Sequence, residues 1–205
     1  MINRGPSGTE PPIDLLKLVD GRTGILSIDT DFFIRNDERL LAAKLETWLP
    51  EKVAAGVPVT CRDDHVDLVD LVSKPVGVLL NFDSHMDLSL GFLLGEAPHV
   101  PPQDATVFET ILATDLTDRY MWAHPVSRSR DAARVYAMAW IAGRQPLLRR
   151  IHCLLGVVAL QLLDQIRITS VFVCRSPGYA TAETEVVFRR LREIAEGRSP
   201  SRQNG

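Results

Sequence analysis

Two short segments hold most of the chemistry open to this chain: Ser27-Ile-Asp-Thr-Asp-Phe-Phe33 and Asn81-Phe-Asp-Ser-His-Met-Asp87. Each closes an apolar run that reads as a buried strand, and open α/β sheets collect their ligands at the carboxyl ends of such strands. Residues two apart in an extended segment face the same side. That spacing would let Asp29 and Asp31 converge, and likewise Asp83, His85 and Asp87. Carboxylates crowded at one sheet edge repel one another unless cations compensate them. Divalent metal ions supply that compensation. Carboxylate with imidazole suits Mn, Fe or Zn, and a single imidazole among five donors leans toward Mn.

The elements that must position these residues follow from the apolar pattern. Gly24–Asp29, Val76–Phe82 and Ile168–Cys174 read as strands, with shorter ones at Val57–Cys61 and Tyr120–Ala123. The continuous apolar run at 76–82 fits a strand covered on both faces. Helices are expected at Asn36–Trp48 with Asn36 as N-cap, Asp64–Val72, Ala105–Ala113, Leu147–Ile166 and Ala182–Glu196, with a short amphipathic segment at Ile13–Val19. Residues 88–104, rich in Gly and Pro, read as a loop. Strands alternating with helices predict a three-layer α/β/α domain over residues 13–197 with a mostly parallel sheet. Residues 1–12 and 198–205 are polar, rich in turn formers and expected to be loose.

Composition narrows the class. The 205 residues fit one domain, and a net charge of −3 gives no electrostatic reason for a nucleic-acid partner. No apolar run is long enough to span a membrane, and no signal peptide is evident, so a cytoplasmic location is expected. Cys61, Cys153 and Cys174 are few and widely spaced, which argues against a disulfide framework.

The motifs resemble those of a known superfamily. Asp83-Ser-His-Met-Asp87 resembles the Asp-Ala-His-x-Asp motif of the ureohydrolases, which include arginases and agmatinases and are structurally related to deacetylases. Ser27-Ile-Asp-Thr-Asp31 resembles their Ser-x-Asp-x-Asp motif. Asp64-His65 resembles the Gly-Asp-His element that carries a further ligand. With Arg175-Ser-Pro-Gly-Tyr179, the set is most similar to peptide arginases, bacterial enzymes that convert arginine side chains of ribosomally made peptides to ornithine.

The resemblance implies an arginase-like fold and two Mn2+ ions. One would be held by His65, Asp83, Asp87 and Asp29. The other would be held by Asp83, His85, Asp29 and Asp31, with Asp83 and Asp29 bridging. It implies attack of an activated water on a guanidinium carbon and release of urea. The partner would be an arginine-containing precursor peptide. Asp87, His99 and His124 are the expected catalytic residues, the two histidines as rival proton shuttles. Ser89 and Glu183 are the expected substrate contacts, with Glu96 and Glu109 as rivals for the guanidinium. His152 is read as core.

The chain departs from the ordinary arginase pattern in two ways. Its Asp-x-Asp motif precedes the Asp-x-His-x-Asp motif, a permuted order, and the chain is short. Two other readings stay open: an amide hydrolase of the deacetylase kind, and a non-catalytic peptide-binding module of the same fold. Oligomeric state is not legible.

Overall fold

The computed structural model describes residues 15–34 and 39–198. Six strands form one sheet: β1 (Thr23–Asp29), β2 (Val59–Arg62), β3 (Val78–Phe82), β4 (Tyr120–His124), β5 (Ile151–Leu155) and β6 (Arg167–Cys174). Their order is β2-β6-β1-β3-β4-β5, and every neighbouring pair is parallel. The helices are α1 (Leu15–Val19), α2 (Arg39–Ala54), α3 (Leu68–Leu71), α4 (Leu90–Leu94), α5 (Val107–Ala113), α6 (Ser129–Ile141), α7 (Gln145–Leu148), α8 (Gly156–Leu162) and α9 (Ala182–Ala195).

Side-chain alternation along each strand divides the core in two. Leu26, Ile28, Val78, Leu80, Phe82 and Met121 pack toward α2, α8 and α9, against Leu45, Leu49, Leu162 and Phe188. Ile25, Leu79, Trp122, Ile151 and Phe172 pack on the opposite face against Leu68, Phe92, Phe108, Ile111 and Val135. Both faces are thus covered, as a parallel sheet requires, and the three-layer α/β/α expectation holds. From β1 the chain moves through α2 to the β2 edge, then returns to β3 and proceeds through β4 and β5 to the other edge. The direction of winding therefore reverses between β1 and β3. A crevice opens at their carboxyl ends, where such folds bind ligands.

Several sequence expectations need correction. Leu147–Ile166 is not one helix: α7 ends at Leu148, β5 follows, and α8 begins at Gly156. A strand buried on both faces is as uniformly apolar as a buried helix, so periodicity could not separate them. Gly156 marks the turn, because a Cβ there would lie 2.5 Å from Phe32 Cζ. His152 is buried as expected, but on β5. The expected loop at 88–104 contains α4, capped by the Ser89 side chain and closed by Gly95 at φ 113°. Asp64–Val72 is a 3-10 turn at His65–Asp67 followed by the single turn α3. Helix α6 was not anticipated.

The proposed Asn36 cap and the loose residues 1–12 lie outside the described residues, as does the tail beyond Arg198. Among the described residues, no helix is long and apolar enough to cross a membrane. The three cysteines are free thiols.

Candidate metal centre

Asp29 ends β1 and Asp83 directly follows β3, so parallel pairing of the two strands sets both carboxylates on the crevice. Neither motif then continues as a strand. Asp31 sits in a 3-10 turn, where its N–H donates to Asp29 Oδ1 at 3.1 Å. After Asp83 the backbone turns, and His85 N–H donates back to Asp83 Oδ1 at 2.7 Å. Asp87 reaches the site through a left-handed backbone at φ 51°. Convergence is achieved by turns rather than by extended alternation. The strain of a non-glycine residue at positive φ falls at the site, where such strain concentrates.

The donor atoms form two convergent groups that share one residue. Asp29, His65 and Asp83 make the first, and Asp31, Asp83 and His85 the second. Asp83 uses both oxygens: Oδ2 lies 3.4 Å from His65 Nδ1, and Oδ1 lies 3.9 Å from His85 Nδ1. His65 Nδ1 also approaches Asp29 Oδ2 at 3.5 Å and Asp87 Oδ2 at 2.9 Å. His85 Nδ1 is 2.9 Å from Asp31 Oδ2. All six sequence-derived ligands are therefore brought together. Asp29 joins only the first group, and Asp87 belongs to neither.

The surrounding shell fixes these donors. His65 Nε2 pairs with Ser27 Oγ at 2.9 Å, so its other nitrogen is directed at three carboxylates. That Nδ1 is buried yet makes no hydrogen bond of acceptable geometry. An orphaned imidazole nitrogen facing carboxylate oxygens fits a cation site, because buried polar atoms are otherwise almost always paired. Asn81 Nδ2 donates to Asp83 Oδ2 at 3.2 Å, and Trp122 Nε1 donates to the Asp83 carbonyl at 2.9 Å. Tyr120 holds the following loop through the Met86 carbonyl at 2.8 Å. Ser176, also left-handed at φ 47°, donates its hydroxyl to Asp29 Oδ2. The oxygen and imidazole donors, without thiolate, suit hard or borderline divalent ions and do not single out one metal.

Electrostatics point the same way. Burial, then the charge of Asp31, pushes Asp29 up to about 7. Burial, then the charges of Asp87, Asp31 and Asp29, pushes Asp83 well above the usual carboxylate range. Burial opposes protonation of His65, but the close carboxylates of Asp83 and Asp87 outweigh it and raise its pKa well above the usual value. For Asp31, burial is overcome by hydrogen bonds from His85 and Ser84, and its pKa is lowered. The cluster without cations is held together by protons, and divalent ions would replace them.

The cluster forms one end of a cleft of about 810 Å³, lined also by Leu88, Leu90, Trp122, Arg128, Met138 and Tyr179. Arg128 Nη2 is 3.3 Å from His85 Nε2, and the Tyr179 ring lies 4.7 Å from the His85 ring. The other sequence candidates are placed elsewhere. His99 is half exposed, outside the cleft lining, and pairs with Glu109 at 2.8 Å. His124 is buried, with Nδ1 on the Pro125 carbonyl at 2.9 Å. It borders a second cavity between α2 and α8. Ser89 is spent as the cap of α4, with its N–H on Glu109. Burial favours the neutral acid at Glu109, but hydrogen bonds from Ser89 and His99 outweigh it and hold the pKa low, which marks a structural anchor. Glu183 is exposed in the first turn of α9, and Glu96 packs over Gly91; neither lines the cleft. Asp104 and Asp131 are the carboxylates that line it outside the metal cluster.

Sequence reasoning gave no role to Ser27, Asn81, Tyr120, Trp122, Arg128 or Ser176. Ser27 and Asn81 left a readable signal, since each is a polar residue inside an apolar strand, two positions before a ligand and on its face. They are direct partners in the β1–β3 register. Arg128 left none, because it lies in the turn that leads into α6, a helix that was not foreseen.

No model of a known protein family matches this chain. No curated protein matches it either.

Ser176→Ala removes the hydroxyl from Asp29 without touching a donor atom. Apparent affinity for Mn2+ should fall roughly tenfold, as is typical when a ligand loses its supporting hydrogen bond. Metal titration followed by calorimetry reads this directly, and unchanged affinity would remove Ser176 from the support of the site.

Proposed function

We propose that the chain is a two-metal hydrolase, preferring Mn2+, that converts peptidyl arginine to ornithine and urea. One observation carries the reading: Asp83 is shared by two convergent Asp/His groups at the winding reversal of the sheet. A single-zinc amide hydrolase of the deacetylase kind would have no use for the second group. The motif resemblance supplies the guanidino chemistry, and the open cleft suits a side chain presented by a peptide. Such a peptide is made in the cytoplasm, which is the location proposed.

His65, Asp83 and Asp29 would hold one ion, and Asp31, Asp83 and His85 the other. When bound, the pair lowers the pKa of a water toward neutrality and offsets charge on the substrate. The chain contributes the rest. Ser27 and Asn81 keep His65 and Asp83 oriented, and Ser176 does the same for Asp29. Buried carboxylates keep the ions at fixed positions, so little reorganisation is needed during reaction. Water adds to the guanidino carbon, the bond to the side-chain nitrogen breaks, and that nitrogen takes up a proton. His99 and His124 do not line the cleft. Asp87 lines it, touches His65 and stands outside both convergent groups, which puts it in place to pass that proton.

Mass spectrometry tests the reading. An arginine peptide incubated with Mn2+-loaded protein should lose about 42 Da per arginine converted. If a varied set of arginine peptides stays unchanged while two metals per chain are bound, the reading fails. Loss of acetyl groups from acetyl-lysine peptides would then install the deacetylase alternative.

A further inference from the structure

The cleft is much larger than the metal cluster needs, and its two ends differ in chemistry. At one end lie Asp29, Asp31, His65, His85, Asp87 and Ser176. The other end is walled by Leu88, Leu90 and Leu93 from around α4 and by Val135 and Met138 from α6, with Met86 between the ends. Leu88, Leu93 and Val135 are buried in the core beneath and form a fixed floor, whereas Leu90 is 56% exposed at the rim. Unbranched methionines adapt to differently shaped apolar groups. An apolar chamber with a few polar groups at its edge is the usual form of a ligand pocket.

We propose that this apolar end is a specificity pocket for a bulky apolar side chain of the substrate, carried next to the side chain that reacts. The inference rests on the peptidyl-arginine reading and adds the sequence context that the enzyme selects. The occupant follows from continuity. Both sets of residues line one cavity, so a substrate whose reacting group lies among the carboxylates can rest a neighbouring group on the apolar wall. The guanidino side chain belongs at the charged end, leaving the apolar wall to a neighbouring residue of the same peptide. Arg128, Asp131 and Arg134 also line the cleft, and Asp131 is ion-paired to both arginines at 3.4 and 3.7 Å. That ion-paired border suits peptide backbone and gives a free amino acid little to bind.

Two readouts on Mn2+-loaded full-length protein test the proposal. The first is kcat/KM for short arginine peptides that differ only in a neighbouring Leu or Gly. The second is fluorescence anisotropy of the same peptides, labelled and with lysine in place of arginine, so that binding is read without turnover. The Leu peptide should be preferred by about tenfold to a hundredfold in both, the range expected for burying one such side chain. Leu90→Asp, at an exposed position, should abolish the preference for Leu over Gly. Met138→Lys, on α6, should do the same.

Equal binding of Leu and Gly peptides, alongside normal arginine conversion, would overturn the pocket and leave the proposed reaction standing. A Leu preference in binding that both variants erase, without arginine conversion, would keep the pocket and discard the guanidino chemistry. Preference unchanged in both variants would also overturn the assignment of these walls.

Discussion

Replacing Asp83 by asparagine should empty both metal positions at once, and it should stabilise the metal-free protein. The first effect follows from sharing. Asp83 is the residue common to the two convergent groups, with one oxygen toward His65 and the other toward His85. Asp31→Asn, which belongs to one group only, should lower the stoichiometry from two metals per chain to one. The second effect follows from charge. Burial and three neighbouring aspartates make ionised Asp83 unfavourable in the folded chain. A neutral amide of the same shape removes that repulsion. Its oxygen can still accept from the His85 N–H, which keeps the backbone turn, while its NH2 replaces the acceptor of Asn81 Nδ2, a smaller loss than the charge repulsion removed. The variant should therefore melt above the metal-free parent at neutral pH. With Mn2+ present the order should reverse, because only the parent gains stability from binding. Elemental analysis and thermal melts with and without chelator read both effects. Two metals per chain in Asp83→Asn would end the shared-ligand assignment. A metal-free variant less stable than its parent would show that Asp83 serves the fold through its hydrogen bonds more than it strains it by charge.

The sheet and the ligand set were legible because each left a local mark. β1, β3 and β6 are apolar runs with period-two faces, and five of the six ligands lie within five residues of the ends of β1 and β3. What failed to show was set by tertiary contact. β5 hid inside a uniformly apolar stretch, and only the approach of Phe32 to Gly156 explains where strand gives way to helix. Asp87 reaches the cleft by a route that spacing did not show. An extended strand end was assumed, while the chain uses a left-handed residue and a Tyr120 hydrogen bond to bring it in. His99 and His124 looked like shuttles because histidine near a metal motif often serves that way. Glu109 and the Pro125 carbonyl, which claim them, lie where spacing alone gives no guidance. Glu183 failed similarly: the first turn of a helix is a favourable place for a carboxylate whether or not a ligand is nearby.

Without metal, the protein should lose stability as pH rises from 5 to 8, the reverse of what paired surface carboxylates would give. Asp29 is pushed up to about 7 in the folded chain against an ordinary 3.8, so the stability it contributes is complete below 3.8 and is lost as pH climbs through 7. Asp83 is raised further, and its contribution is lost over a window that starts at the same point and extends higher. His65 and His85 are raised above 6.5, the latter first by its hydrogen bond to Asp31, so each adds a falling slope from 6.5 upward. Three groups work differently. Asp31 and Glu109 are lowered, so their contributions are already complete above their ordinary values and are flat across this window. His152 is lowered to about 4, first by burial, so its contribution rises with pH between 4 and 6.5 and then stays level. Its single proton is outweighed below 6.5 by those of Asp29 and Asp83, and above 6.5 it opposes nothing. Each proton of difference is worth ~1.4 kcal/mol per pH unit, so melting temperature in chelator should fall by roughly 5 °C or more between pH 6.5 and 8. Divalent ions compete with these same protons, so stabilisation by Mn2+ should be small at pH 5 and grow toward pH 8, with protons released on binding. Scanning calorimetry at several pH values, with chelator and with Mn2+, is the measurement. A metal-free melting temperature that rises over 6.5 to 8 would mean that the carboxylates are already compensated from within the chain. A Mn2+ effect independent of pH would place the ion away from Asp29 and Asp83.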